Sequence, residues 1–153
     1  LVAGCAPLKT LHLLYESRLY KMVRIMDKFV WDSEVFSVGN ELIDHHHKKL
    51  MELVNRLIDL SEQESPSKVD YLQVLLEMSD YSHYHFKAEE GLMAIHNYEG
   101  LEQQKSEHRA FSEKASLMVT SCDLSQLEQT AKFLVSWLGH HVLEEDMKFK
   151  GII

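Results

Sequence analysis

His85 and Glu89 stand four residues apart, Gln104 and His108 repeat that spacing, and His141 precedes Asp146 by five. In a helix, residues at i and i+4 lie on one face, one turn apart. Five residues apart, two side chains diverge by about 140° around the axis, so His141 and Asp146 reach neighbouring but distinct points of one site. His47 adds a fourth imidazole. Each of these residues falls on the inward stripe of its segment. There an imidazole or ionised carboxylate without a partner costs several kcal/mol. Bound metal removes that cost. Mixed imidazole and carboxylate ligands suit iron, manganese or zinc, and two bridging carboxylates with imidazoles on both sides suit a di-iron pair. The H-E-x-x-H motif of zinc hydrolases is missing, and the pattern offers no substrate cleft. One position breaks the set. Gln104 sits one turn before His108, where a metal-binding helix is expected to offer a second His.

The elements that must position these residues are four amphipathic segments. The first runs from about Glu41 to Leu60, with Ile43, His47, Leu50, Val54 and Leu57 inward. The second runs from about Pro66, placed in its first turn, to His96. Its stripe is Tyr71, Leu75, Met78, Ser82, His85, Glu89 and Leu92. The third spans about Leu101 to Thr120, with Leu101, Gln104, His108, Phe111, Ala115 and Met118 inward. The fourth runs from about Gln126 to Phe149, carrying Leu127, Leu134, Trp137, Leu138 and His141. Short turns at Ser65-Pro66-Ser67, at 97–100 and at 121–125 separate them. Short connections imply antiparallel neighbours, hence an all-α, up-down-up-down four-helix bundle. The ligands sit early in the first and third helices and late in the second and fourth. Alternation of direction brings all of them to one end of the bundle. Residues 27–40 read as an extended arm that packs Val30, Trp31, Phe36 and Val38 on the body.

Other polar residues near the stripes have plainer readings. His45, His46, His83 and His140 point off the stripe and are expected in solvent. His96 is expected at a helix C-terminus, where it compensates the dipole. Glu90, Glu144 and Glu145 are expected to be surface charge.

With 153 residues the chain is long enough for one domain with a real core. A metal is then functional rather than a device for folding. Net charge is −8, which argues against nucleic acid as a partner. Residues 1–25 carry Lys9, Arg18, Lys21 and Arg24 against Glu16, a net of +3, which leaves −11 on the remainder. That break predicts an N-terminal extension or linker over 1–25 and the bundle domain over 26–153, with Met22 or Met26 as candidate starts. Cys5 and Cys122 form no C-x-x-C, no stretch approaches a membrane span, and a cytoplasmic location is expected.

Over about residues 28–150 the chain resembles the hemerythrins, and the bacterial hemerythrins in particular. The resemblance rests on Trp31 with Val38-Gly39-Asn40, on Ile43-Asp44-His45-His46-His47-Lys48-Lys49-Leu50, and on His85-Phe86-Lys87-Ala88-Glu89-Glu90. It continues through Asn97-Tyr98-Glu99-Gly100-Leu101, Glu107-His108-Arg109-Ala110-Phe111 and Trp137-Leu138-Gly139-His140-His141-Val142-Leu143-Glu144-Glu145-Asp146. It implies two non-haem iron ions, oxo- or hydroxo-bridged, that bind O2 reversibly. By motif, His47 and His85 hold the iron that takes O2, Glu89 and Asp146 bridge the pair, and His108 and His141 hold the second iron. The chain departs from the family at Gln104, where the pattern has a third His, and at Gly139, where it has a branched aliphatic. An amide oxygen is a weaker ligand than imidazole, so weaker retention of the second iron is expected, with a changed potential and faster autoxidation.

The function that follows is O2 binding for storage, delivery or sensing, without enzymatic activity. A di-iron enzyme that reduces peroxide or O2 is the alternative, and a redox- or oxygen-sensing regulatory module is another. A further reading, iron storage, requires more than two irons per chain.

Overall fold

The computed structural model describes residues 27–153. The expected extension over 1–25, and the boundary beside it, lie outside the described residues. A short helix, α1 (Ser33–Phe36), is followed by four long ones: α2 (Glu41–Ser61), α3 (Lys68–Ile95), α4 (Leu101–Ser121) and α5 (Leu127–His140). They form the expected all-α four-helix bundle. α3 packs on both α2 and α4, and α2 packs on α5. The seam between α4 and α5 is closed by large rings, with Phe111 4.0 Å from Trp137 and 6.4 Å from Phe133.

The helix starts follow from their caps. The Asn40 side chain accepts from the backbone N–H groups of Leu42 and Ile43 at the head of α2. Ser67 accepts from Asp70 N–H at the head of α3. Ser67 is therefore the cap, and Pro66 precedes the helix instead of occupying its first turn as expected. α4 ends at Cys122, which adopts φ 36° and ψ 53° and returns its N–H to the Met118 carbonyl.

The fourth segment is not one α-helix from 126 to 149. A 3-10 turn (Leu124–Gln126) leads into α5, which stops at His140. A π turn (His141–Glu145) and a 3-10 turn (Asp146–Phe149) complete it. Asp146 N–H reaches the His141 carbonyl, five residues back, so this turn holds one residue more than an α turn.

The arm is only partly extended, because Asp32 caps α1 by accepting from Glu34 N–H. Trp31 and Phe36 pack on the core as expected, and Val38 is fully buried. Val30 is 77% exposed, contrary to expectation. Phe29 packs on the core in its place, because its backbone exchanges two hydrogen bonds with the Asn55 side chain, at 2.7 and 2.8 Å. Asp44 secures the end of the arm, accepting from Ser37 Oγ at 2.6 Å and from Val38 N–H at 2.9 Å.

Two apolar clusters make up the interior. The large one runs along the bundle from Leu50 and Phe86 to Leu60 and Leu127. The small one holds Val38, Ile43, Met93 and Phe149. Ile43 lies one turn before His47 and Met93 one turn after Glu89, so the expected metal-binding residues form a polar layer between the two clusters. Among the described residues, no helix is long and apolar enough to cross a membrane.

Candidate metal centre

All seven residues singled out from the sequence meet in this layer and are buried. His47, His85, Glu89 and Asp146 are 0% exposed, His141 is 1%, and His108 and Gln104 are 2%. α2 supplies His47, α3 supplies His85 and Glu89, α4 supplies Gln104 and His108, and the π turn with its following residue supplies His141 and Asp146.

Each imidazole turns Nε2 toward the carboxylates. His47 Nε2 lies 3.4 Å from Glu89 Oε1 and 3.2 Å from Asp146 Oδ2. His85 Nε2 and His108 Nε2 lie 3.4 and 3.5 Å from Glu89 Oε2. His141 Nε2 lies 3.4 Å from Asp146 Oδ1 and 3.2 Å from His108 Nε2. Two overlapping groups result: His47, His85, Glu89 and Asp146 in one, Glu89, His108 and His141 in the other, with the donor atoms of each within 4.8 Å of one another. Glu89 belongs to both.

The arrangement fits metal ions better than it fits itself. Both nitrogens of His47 and of His85, both oxygens of Glu89, Asp146 Oδ2 and Gln104 Oε1 are buried with no hydrogen-bond partner. Apart from the contact between His108 Nε2 and His141 Nε2, these short separations are not aligned as hydrogen bonds. Left in that state, each such atom carries a desolvation cost of about 1–3 kcal/mol. Donors about 3 Å apart are what an ion with bonds of about 2.0–2.2 Å asks of neighbouring ligands.

Electrostatics point the same way. Burial alone pushes the His47 ring down, but Asp146 and Glu89 outweigh it and hold it up to about 9. At His85 burial outweighs the attraction of Glu89, and the ring goes well below its ordinary value. Burial opposes ionisation of Glu89, yet His85, His108 and His47 together keep its carboxyl well below the usual range. Asp146 is pushed up, first by burial and then by the charge of Glu89. Two carboxylates this close resist sharing a dry site, and a cation relieves that repulsion.

In the fourth segment, the extra residue of the π turn brings Asp146 Oδ1 to 3.4 Å from His141 Nε2, while the two residues belong to different groups of the one layer. Gln104 is in the layer but engages protein: its Nε2 donates to Asp146 Oδ1 at 3.3 Å.

Three residues expected at the surface are not there. His46 is 2% exposed, its ring 4.8 Å from Tyr84, 5.7 Å from Tyr81 and 5.8 Å from His85. A helix with neighbours on two sides buries a wider arc than a single stripe, and His46 lies on that wider arc. Glu90 Oε1 lies 2.8 Å from His108 Nδ1. The side chain of Glu145 is only 12% exposed and accepts from Lys148 Nζ at 2.6 Å. His45, His83, His96, His140 and Glu144 are exposed as expected.

Glu107 escaped the sequence reading, although it lies beside His108. Its carboxylate is 3.7 Å from His141 Nδ1 and accepts from Gln103 Nε2 at 2.7 Å. The contact with His141 lowers its carboxyl to about 2. Only the i−1 relation to a ligand could have drawn attention to it. Aromatic rings brace the same two imidazoles: Phe86 stacks on His108 at 3.9 Å and Trp137 on His141 at 4.4 Å. Beyond the site, in the next layer of the core, a small apolar cavity is lined by Leu50, Ser82, Phe111 and Leu138, each three residues from a ligand, with Val54, Met78, Leu134 and Trp137 completing it.

The chain is similar to known proteins in sequence and in fold. Residues 38–153 match the family model described as "Hemerythrin HHE cation binding domain". A bacteriohemerythrin of Clostridium acetobutylicum is 32% identical over 127 residues, covering 79% of this chain and 98% of its own. A hemerythrin-like protein of Naegleria gruberi is 34% identical over 129 residues, covering 84% and 97%. In fold, the chain is similar to a wild-type hemerythrin crystal structure, with a TM-score of 0.74 at 22% identity over 82% of this chain and 98% of that one. With a family model matched over most of its length and relatives above 30% identity, the chain belongs to the hemerythrin family.

Proposed function

We propose that the chain is a non-haem di-iron protein that binds O2. The observation that carries this reading is the set of buried Nε2 and carboxylate atoms, most of them unpartnered, divided into two groups that share Glu89. His47 and His85 would hold the first iron, His108 and His141 the second, and Glu89 and Asp146 would span the pair. When bound, two neighbouring irons supply the electrons that reversible O2 binding requires.

The chain's own residues do the rest. The four imidazoles and two carboxylates present a fixed cage. The apolar cluster around Phe86, Phe111, Trp137 and Leu138 keeps water away from this side of the layer. Gln104 sets the second iron apart. Its amide N–H already holds Asp146 Oδ1, the oxygen that faces His141, so that carboxylate is shared between Gln104 and the second position. Against the family pattern this position lacks one imidazole and is left with two, as many as the first.

The missing imidazole favours a second reading, in which a second iron with an incomplete set of ligands would support reduction of peroxide or O2 by an added electron donor. Iron analysis with optical spectra, in air and under anaerobic conditions, tests both. An O2 binder is expected to hold two irons per chain, with a visible charge-transfer band that disappears on removal of O2 and returns in air. Two irons, no reversible band and sustained peroxide consumption with a reductant favour the enzyme. One iron or none removes the di-iron reading.

A further inference from the structure

The imidazoles of the two metal positions differ on their outer side. His47 Nδ1 and His85 Nδ1, on the first position, are buried without a hydrogen-bond partner. Both imidazoles of the second position have a glutamate beside that nitrogen, although His141 Nδ1, like those of the first position, makes no hydrogen bond. His108 Nδ1 is 2.8 Å from Glu90 Oε1, a hydrogen bond in which the ring nitrogen donates. His141 Nδ1 is 3.7 Å from Glu107 Oε2, close enough for charge attraction without a formed hydrogen bond. Glu107 is itself held by Gln103. The two glutamates come from different helices, Glu90 from α3 and Glu107 from α4, and both sit at the rim of the site with side chains about one quarter exposed (27% and 26%).

A carboxylate on the outer nitrogen does two things to a ligand histidine. It fixes the tautomer, keeping the proton on Nδ1 and the Nε2 lone pair free for metal. It also raises the donor strength of the ring. Both effects fall on the position where Gln104 stands in place of an imidazole. We propose that Glu90 and Glu107 are positioning residues of the second metal position, which strengthen His108 and His141 as donors and offset the imidazole that Gln104 does not supply. This rests on the di-iron reading above.

The test uses the full chain loaded anaerobically with Fe2+ and then exposed to an excess of an iron(II) chelator. The wild type is expected to take two irons and release them in two phases, the phase that Gln104→His slows being that of the second position. Glu90→Gln is expected to speed that phase by roughly 10- to 100-fold while the other stays unchanged. Glu107→Gln is expected to act in the same direction with a smaller effect, since its contact is longer. In a Gln104→His background the Glu90→Gln defect is expected to shrink, because a third imidazole restores the missing donor. A purely structural role for Glu90 would not be rescued in this way. Wild-type kinetics in both glutamate variants overturn the proposal. Equal acceleration of both phases overturns it too, since that is general loosening. A wild type that takes fewer than two Fe2+ removes the di-iron reading and this proposal with it.

Discussion

Asp146 follows His141 by five residues, yet its Oδ1 lies 3.4 Å from the His141 Nε2. In a regular α-helix that spacing turns the two side chains well apart. The π turn at 141–145 removes the mismatch by adding one residue to the turn, and Asp146 N–H closes it on the His141 carbonyl. The ring of one residue and the carboxylate of the other then serve a single site.

Asp146→Asn is nearly isosteric and removes only the charge. The variant is expected to fold, with metal-free stability changed by about 1 kcal/mol. It is expected to hold fewer than two irons per chain, because His47 and His141 both lose their facing carboxylate. Metal analysis after gel filtration decides it; two tightly held irons in the variant would show that Asp146 is not a ligand.

Gln104→His replaces an amide by an imidazole in the same buried layer and frees Asp146 Oδ1 from its 3.3 Å contact. Iron retention at the second position is expected to rise, and the O2 complex to persist longer before autoxidation. Chelator release and the decay of the visible band are the readouts. If neither moves, Gln104 is not what distinguishes the second position.

His47 ties the site to pH. Its ring is raised from 6.5 to about 9 because Asp146 and Glu89 overcome the effect of burial. A group raised on folding contributes its full stability below the unfolded value and loses it as pH passes the folded one. The His47 contribution to the metal-free chain is therefore expected to be complete below pH 6.5 and gone above about 9. Melting temperatures of metal-stripped wild type and His47→Asn, compared across that window, should converge as pH rises. Iron has the opposite slope, since a ligand imidazole must be neutral and metal uptake releases its proton. Calorimetry of Fe2+ binding in two buffers of different ionisation heat measures that release, and a value of zero contradicts the assignment.

Tyr71 separates fold from site. Its hydroxyl donates to Thr130 Oγ1 at 3.0 Å inside the large apolar cluster, far along the bundle from the metal layer. Tyr71→Phe is expected to cost about 1 kcal/mol in denaturant unfolding and to leave the iron content unchanged. Loss of iron in this variant would mean that the bundle transmits strain to the site from a distance.

The helices and their inward faces were legible because apolar residues recur at the helical period and few breakers interrupt them. The caps Asn40 and Ser67 emerged only from the structure, and Pro66, expected in a first turn, fell just outside its helix. His47, His85, Glu89, Gln104, His108, His141 and Asp146 lie in one layer because antiparallel alternation brings two early and two late positions to one level. The family motifs assign them to irons only by resemblance.

What lies between helices was not legible. The burial of His46 depends on Tyr81 and Tyr84 of the neighbouring helix. Glu90 and Glu107 lie next to inward residues in sequence, where a solvated carboxylate is the simpler expectation. Each instead meets a ring from another element, His108 for Glu90 and His141 for Glu107.

The sequence by itself determined the elements, the face each one buries and the kinds of ligand that share a layer, because side-chain period and the cost of burying charge are local properties. Only the tertiary structure decided that Asp146 turns back to His141 and that two outer glutamates stand behind the second pair of imidazoles. Those outcomes depend on how the backbone closes its last turn and on which rings the packed helices bring within reach.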